Sequence, residues 1–248
     1  MPIQGLKCKC GEVTFEKAQE CLKSGRGKEL GCIHSFIAIE SMEQEFGKDR
    51  PSQISVTQIQ EGDWGCHRAV YLQRRFPFYI EPSNYYRPWR GTSFHKILTS
   101  TSQKDSIKEC RVTKTYRFNE KSYTLSGQWD YYDSKWKILV DVKDVKSIIP
   151  KFLPYAQHIE QVNLYAHLAR SIGLEVKRLE CHYFDASHSH IVSLPMWSEE
   201  ECMSFIEKHL VPLADAIEKS ELPEYKKILK CSRCEVSEKC HAFVRSGA

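Results

Sequence analysis

Alternating apolar and polar residues dominate the middle of the chain. Three stretches, 111–113, 123–127 and 137–143, repeat apolar side chains with a period of two. Because successive side chains of a strand point to opposite faces, this pattern predicts consecutive antiparallel strands. The polar sequence Asp133-Ser134-Lys135 predicts the turn that joins the last two strands.

Helical spacing precedes and follows this strand region. From residue 54 to residue 72 the pattern is helical, and it breaks at Phe76-Pro77. A second helix is predicted to begin near Gly91. Residues 156–171 place apolar side chains at helical intervals, and Gly173 is expected to end that helix.

The last third of the chain returns to strands before a final helix. Residues 176–183 and 190–194 are strand-like and flank an Asp-Ala-Ser-His-Ser turn. Ser198 and Glu201 form a capping-box pattern that opens a helix running towards Ile217. The order of elements predicts an α/β or α+β fold in which helices partly cover both faces of a sheet.

Composition divides the chain and limits its class. The first fifty residues are rich in Cys, Lys and Glu and end in a polar, Pro-containing stretch, so we predict a small module over 1–50 and a main domain over 51–248. No run of about 18 apolar residues occurs, and the N-terminus lacks the apolar core of a signal peptide. We therefore expect a cytoplasmic protein with no membrane contact. The net charge of +4 permits an anionic partner without requiring one.

Eleven cysteines are many for a reducing compartment, where clustered cysteines indicate metal ligands more often than disulfides. Cys231, Cys234 and Cys240 supply three thiolates close to the C-terminus. A closed site needs a fourth ligand, for which Cys66 and His241 are candidates. Spacing alone favours zinc at this site.

A second cysteine cluster lies in the N-terminal module. Cys8, Cys10, Cys21 and Cys32 are predicted to form a structural zinc site, with His34 as a substitute for one of them. Such a metal would replace the core that fifty residues cannot easily form. The alternative is a set of partly buried thiols.

Carboxylates and a lysine are predicted to meet on the central strands. Asp141 and Lys143 occupy positions i and i+2 of one strand and share a face, while the hairpin brings Asp130 beside them. Paired carboxylates suit Mg²⁺ or Mn²⁺, and phosphodiester hydrolysis uses such an ion to acidify the attacking water. The alternative is a solvated charge pair, and a second Asp-x-Lys, Asp144 to Lys146, leaves the register open.

Three further features favour the catalytic interpretation. Gly127 precedes Asp130 at a place where backbone must approach closely. Gln161 and Tyr165 share one face of the following helix, from which they would contact a phosphate or orient the lysine. His95, on the upstream helix, would complete the metal shell.

In this order, the motifs resemble the CRISPR-associated RecB-like exonucleases (the Cas-four type) of the PD-(D/E)XK nuclease superfamily, and the related iron-sulfur nuclease domains of AddB-like helicase-nucleases. The resemblance covers roughly residues 54–244. The family pattern comprises a helix with a cysteine, a Gly-x-x-x-His helix, a Gly-x-x-Asp strand, an (Asp/Glu)-x-Lys strand, a Gln-x-x-x-Tyr helix and three terminal cysteines. Its members correspond here to Cys66, Gly91 to His95, Gly127 to Asp130, Asp141 to Lys143, Gln161 to Tyr165, and Cys231, Cys234 and Cys240.

The resemblance implies a restriction-endonuclease-like core with a mixed sheet flanked by helices. It implies that His95, Asp130, Asp141 and the main-chain carbonyl of Val142 bind the metal, while Lys143 serves the attacking water. Family members often carry Glu where this chain has Asp141, which is shorter but chemically equivalent. The resemblance also implies a [4Fe-4S] cluster that staples the C-terminus onto this core, held by Cys66, Cys231, Cys234 and Cys240.

The predicted function is that of a Mg²⁺- or Mn²⁺-dependent DNA exonuclease acting on single-stranded ends or overhangs. The resemblance further implies trimming of DNA fragments before their insertion into a CRISPR array, with a CRISPR integrase complex as partner. Three alternatives remain open: a non-catalytic DNA-binding or complex-assembly protein, a repair or recombination nuclease outside CRISPR, and a zinc-cysteine interaction module. An iron-sulfur protein is brown, whereas a zinc protein is colourless.

Overall fold

A computed structural model describes residues 3–8, 11–24, 53–60, 65–80, 106–228, 231–232 and 234–245. The chain divides into two compact units, each assembled from separate segments. The first unit contains Met1–Ser52, Arg68–Trp89 and Leu222–Ala248, and the second contains Gln53–His67 and Arg90–Glu221. Within the described ranges, no helix is both long and apolar enough to cross a membrane.

The first unit combines a three-stranded sheet with short helices. Its strands are β1 (Ile3–Cys8), β2 (Gly11–Thr14) and β4 (Phe78–Ile80). Their order in the sheet is β2-β1-β4, with β1 antiparallel to β2 and parallel to β4. Lys239 donates a hydrogen bond to the carbonyl of Pro77, and Lys7 contacts Glu238, so segments distant in sequence meet in this unit. Its described helices are α1 (Phe15–Lys23), α2 (His67–Arg75, with His67 in the second unit) and α5 (Ser237–Arg245).

The predicted helix over 54–72 is wrong in its first part. Ile54–Ser55 form strand β3, which pairs in parallel with β7 (Lys121–Gln128), and Val56–Gln58 form a single 3-10 turn. The apolar side chains here are buried against a sheet, so their spacing reflects a short buried strand and turn. The predicted break at Phe76-Pro77 is confirmed, because α2 ends at Arg75.

The second unit is built on a mixed five-stranded sheet of order β11-β10-β9-β8-β5. The central pair β9 and β10 is parallel, and every other neighbouring pair is antiparallel. The fold is therefore mixed α/β. The strands of this sheet are β5 (Ser106–Lys108), β8 (Tyr131–Asp133), β9 (Ile138–Asp144), β10 (Arg178–Phe184) and β11 (Ser189–Leu194).

A second sheet in the same unit has the order β3-β7-β6, where β6 (Arg111–Phe118) and β7 (Lys121–Gln128) form a long antiparallel hairpin. The predicted run of consecutive antiparallel strands is thus divided between two sheets. The chain leaves the three-stranded sheet after β7 and enters the five-stranded sheet at β8. Asp130 lies at this crossing.

Helix α3 (Ala156–Ser171) contacts both sheets, which explains why its residues 161–169 are all buried. Its bounds match the predicted helix, and Gly173 follows its end with φ +86°. Gly127 permits the close approach of β7, because a Cβ there would lie 2.6 Å from Cδ1 of Leu168. This glycine therefore sets the depth at which α3 packs.

Buried polar groups of α3 anchor the chain around it. The side chain of Asn163 accepts a hydrogen bond from the Trp197 amide at 2.7 Å and donates to the Pro195 carbonyl at 3.0 Å. The following helix α4 (Glu199–Lys219) begins with the predicted capping box of Ser198 and Glu201. The predicted hairpin that precedes it is confirmed as β10 and β11.

Candidate functional site

The strand register brings Asp130 and Asp141 to the same level of the sheet. Tyr131 of β8 pairs with Val140 of β9, so the next residue outward on each side is an aspartate. Oδ2 of Asp130 accepts a hydrogen bond from the Val142 amide at 2.7 Å. Asp130 is therefore fixed to the strand that carries Asp141.

Lys143 joins the acidic pair to helix α3. Its Nζ lies 2.6 Å from Oδ2 of Asp141 and donates to Oε1 of Gln161 at 2.7 Å. The side chain of Asp141 is only 3% exposed, and that of Lys143 is 20% exposed. The ion pair is thus shielded on the aspartate side, while the lysine still reaches the surface.

The helix side of the site is a chain of hydrogen bonds. Nε2 of Gln161 donates to the hydroxyl of Tyr165 at 2.7 Å, as their i, i+4 spacing allows. Both side chains are buried. Since one end of the amide is held by the tyrosine, its oxygen points at Lys143.

Opposing effects act on the charge of Lys143. Burial lowers its pKa, but the carboxylate of Asp141, with further contributions from Tyr165 and Asp130, outweighs burial, and the pKa lies above its ordinary value. Burial is also the main reason why the pKa of Tyr165 is raised, and the Asp141 charge adds to it. At neutral pH the site therefore contains an ammonium and a neutral phenol.

The two Asp-x-Lys motifs differ in their relation to α3. Asp141 and Lys143 contact each other and α3, whereas Asp144 ends β9 and Lys146 is exposed in the connection that follows. The Asp141 register assigned from the sequence is the one whose lysine meets the predicted glutamine.

Two residues beside the site were missed by sequence reasoning. Tyr183 is the β10 partner of Lys143, and its hydroxyl lies 2.8 Å from Nδ1 of His158 on α3. Burial, and then the positive charge of Lys143, lowers the pKa of His158 to about 3. The available signal was spacing, because His158 lies three residues before Gln161 and seven before Tyr165, on the same helix face.

Three of the four predicted donors of the candidate metal site lie in the described residues. Asp130, Asp141 and the Val142 carbonyl are oxygen donors of the kind that Mg²⁺ and Mn²⁺ prefer. Asp130 directly precedes β8, and the other two lie on the adjoining strand β9. The predicted ligand His95 and its helix near Gly91 lie outside the described residues. Among the residues that the structure does describe, no three His, Cys, Asp or Glu side chains converge on one point.

Among the described residues, the cysteines likewise form no group of three potential metal ligands. Cys231, Cys234 and Cys240 belong to the first unit, and each is half-buried. The amide of Ile228 donates to Sγ of Cys231 at 3.4 Å, and the amide of Cys234 donates to the Cys231 carbonyl at 3.4 Å. Cys66 belongs to the second unit.

Half of the predicted N-terminal zinc site can be placed. Cys8 ends β1 and Cys21 lies in α1, and both are half-buried. Cys10, Cys32 and the substitute His34 lie outside the described residues. The zinc site therefore stays a prediction.

Comparisons with known proteins concern the fold alone. No protein-family model matches the chain, and no curated protein matches it in sequence. The structure is similar to that of a protein designated SSO0001, with a TM-score of 0.59 and 19% identity over 84% of this chain and 95% of that chain. A protein from Eubacterium rectale, provisionally named an exonuclease, matches with a TM-score of 0.38 and 11% identity over 92% of this chain and 75% of that one. The second match is too distant to support an argument, and a shared fold does not by itself imply a shared activity.

Proposed function

We propose that the chain is a metal-dependent DNA nuclease with a PD-(D/E)XK-type site that hydrolyses phosphodiester bonds at single-stranded ends or overhangs. The observation that carries this proposal is the position of Nζ of Lys143, 2.6 Å from Asp141 and 2.7 Å from Gln161. A buried carboxylate next to a partly exposed ammonium is unusual for a solvated charge pair. The part of the Lys143 side chain that stays exposed is available to an anionic substrate.

Each residue has a distinct task in this proposal. Asp130, Asp141 and the Val142 carbonyl, with His95 predicted from the sequence, would hold Mg²⁺ or Mn²⁺. The bound ion would supply Lewis acidity to the phosphodiester and lower the pKa of an attacking water. Lys143 keeps its proton next to Asp141 and offsets the negative charge that grows on the phosphate oxygens during attack.

Gln161 and Tyr165 are positioning residues. Their hydrogen bonds fix the direction of the Lys143 side chain, and the packing of Gly127 fixes the helix that carries them. An ammonium held in place before the reaction stabilises the transition state without a cost of reorganisation.

The proposed iron-sulfur cluster rests on cysteine order and spacing in the sequence. Cys66, Cys231, Cys234 and Cys240 would supply the four thiolates of a [4Fe-4S] cluster. The backbone donor to Cys231 Sγ supports a thiolate there, since hydrogen bonds to sulfur accompany such ligands. Broad absorption near 400 nm that Cys234→Ser removes, while Cys202→Ser leaves it, would support the cluster; a colourless, zinc-containing protein would contradict it.

The nuclease proposal is tested with end-labelled DNA. Single-stranded, blunt duplex and overhang substrates are incubated with the protein and Mg²⁺ or Mn²⁺, alongside Lys143→Ala and the matched control Lys146→Ala. We expect cleavage that requires the metal, is lost in Lys143→Ala and persists in Lys146→Ala. DNA binding without cleavage by the parent chain would favour the complex-assembly alternative.

The biological setting rests on the ordered motifs alone. We propose trimming of DNA ends before insertion by a CRISPR integrase complex, with a repair or recombination nuclease as the alternative. Overhang trimming to a uniform length that needs added integrase would support the first setting. Processive degradation of free ends without any partner would support the second.

A further inference from the structure

Two exposed aromatic residues with adjacent lysines lie in the segments before and after strand β9. Phe152 is 58% exposed, and Nζ of Lys151 lies 4.9 Å from its ring centroid. Trp136 is 61% exposed, and Nζ of Lys135 lies 5.0 Å from its ring centroid. Trp136 precedes β9, whereas Phe152 follows the end of β9 that carries Lys143.

The Phe152 pair lies in the connection between the two catalytic elements. This connection begins after β9, which carries Asp141 and Lys143, and ends at α3, which carries Gln161. Phe152 is equally far in sequence from Lys143 and from Gln161. The connection therefore joins the strand that carries Lys143 to the helix whose Gln161 contacts Lys143.

Backbone hydrogen bonds hold the connection at several points. The Val145 amide donates to the Phe184 carbonyl at 2.8 Å, and the Ile148 amide donates to Oδ2 of Asp185 at 3.0 Å. The 3-10 turn Pro150–Phe152 is closed by the Phe152 amide, which donates to the Ile149 carbonyl at 3.0 Å. The aromatic ring is therefore presented by an ordered turn.

We propose that Phe152, Ile149 and Lys151 form a stacking platform for an unpaired nucleobase of the DNA strand that enters the Lys143 site. This proposal rests on the proposed nuclease function and deepens it by naming the residues that would hold an unpaired base of the substrate. A nucleobase stacks on an aromatic face whatever its identity, and a lysine beside the ring attracts the neighbouring phosphate. A base-paired end offers no free face, so the platform selects single-stranded DNA.

Ile149 supports the assignment of the occupant. Its side chain is 44% exposed, so two large apolar groups and one cation share a single exposed turn. A nucleotide combines a flat apolar base with an anionic phosphate and matches both parts of this surface. The turn belongs to the segment that links the strand and the helix of the Lys143 site, which favours the substrate of that site as its occupant.

Fluorescence of 2-aminopurine placed at the end of a single strand tests the platform. Titrations with EDTA present exclude cleavage, so binding is measured without any need for catalysis. We expect Phe152→Ala to weaken single-strand binding by about fivefold or more and to remove the quenching that stacking produces. Phe152→Trp should retain both the affinity and the quenching. The matched control is Trp136→Ala, which removes the other exposed aromatic ring with an adjacent lysine and should bind like the parent.

The outcomes separate this proposal from the nuclease proposal. Equal single-strand affinity and quenching in Phe152→Ala and the parent would overturn the platform, even if the parent cleaves DNA. An equal loss of blunt-duplex and single-strand binding would also overturn it, because the selectivity would be absent. If Phe152→Ala loses single-strand binding while the parent never cleaves DNA, the platform stands and the nuclease proposal fails.

Discussion

The amide oxygen of Gln161 accepts a hydrogen bond from Nζ of Lys143 at 2.7 Å. This bond joins a strand of the five-stranded sheet to the helix that packs between two sheets. The position of the Lys143 ammonium thus depends on helix packing as well as on strand geometry. The proposed nuclease activity should therefore respond to changes in α3 that leave Asp130 and Asp141 in place.

Gln161→Leu should lower kcat by about 10- to 100-fold and leave KM for DNA nearly unchanged, because a misplaced ammonium is costly mainly in the transition state. Tyr165→Phe removes only the hydroxyl that holds the amide and should have a smaller effect, in the same direction. Steady-state kinetics on a labelled single strand measure both. A larger effect of Tyr165→Phe than of Gln161→Leu would contradict this order.

Gly127→Ala should destabilise the protein by about 1–3 kcal/mol and reduce activity, because the new methyl group overpacks the contact with α3. The added Cβ would lie 2.6 Å from Cδ1 of Leu168. Urea unfolding of Gly127→Ala, Leu168→Val and the double variant forms a double-mutant cycle. We expect the double variant to recover part of the unfolding free energy that Gly127→Ala loses.

Gly173→Ala is the control for Gly127→Ala. Its φ of +86° makes the substitution unfavourable, but nothing lies within 4 Å of the added Cβ. Its cost should be about 1 kcal/mol from backbone strain, with activity retained in the folded protein. Full activity in Gly127→Ala would show that the helix position does not control the site.

Local patterns predicted those parts of the fold that local chemistry determines. The helix over 156–171, the break at Pro77 and the capping box of Ser198 depend on neighbours within a few residues, and all three are confirmed. The pairing of Gln161 with Tyr165 is of the same kind. A period of 3.6 residues is enough to place such side chains together.

Contacts between distant segments were beyond those patterns. An alternating strand does not reveal which sheet it joins, so the transfer of the chain at Asp130 from one sheet to the other was missed. The proximity of Tyr183 to Lys143 follows from the parallel pairing of β10 with β9. The helical and loop residues 145–177 separate these two strands, and no local pattern in them signals the pairing. The short strand at Ile54 and the 3-10 turn after it bury apolar residues at unequal intervals. That spacing resembles part of a helical pattern, so the sequence predicts a helix where the structure has a strand.

His158 should make the folded state sensitive to mild acid. Its pKa is about 3 in the folded chain against an ordinary 6.5, because of burial and then Lys143. As pH falls below 6.5 the unfolded chain binds a proton that the folded chain does not, so stability falls by up to about 1.4 kcal/mol per pH unit. Urea midpoints between pH 7.5 and 5 should therefore decline less in His158→Gln than in the parent. Parallel declines in both proteins would contradict a buried neutral imidazole.

Metal titration should separate the roles of the acidic residues and the lysine. Asp130→Ala and Asp141→Ala each remove an oxygen donor, so their loss of activity should come chiefly from weak binding of the divalent ion. Raising Mn²⁺ should restore part of their cleavage. Lys143→Ala keeps the donors and loses about 100- to 1000-fold in kcat, and no metal concentration should recover it, because the missing charge acts on the transition state.

The control for this titration comes from the neighbouring motif. Asp144→Ala and Lys146→Ala change the same residue types just beyond the site, and both should keep the parental rate and metal dependence. Binding measured without divalent ions should be nearly the same for Lys143→Ala and the parent, since binding and turnover depend on different interactions. If Lys146→Ala is inactive and Lys143→Ala is not, the catalytic pair is Asp144 and Lys146. If all four variants cleave at the parental rate, the cluster around Lys143 is a structural ion pair and the hydrolytic site lies elsewhere.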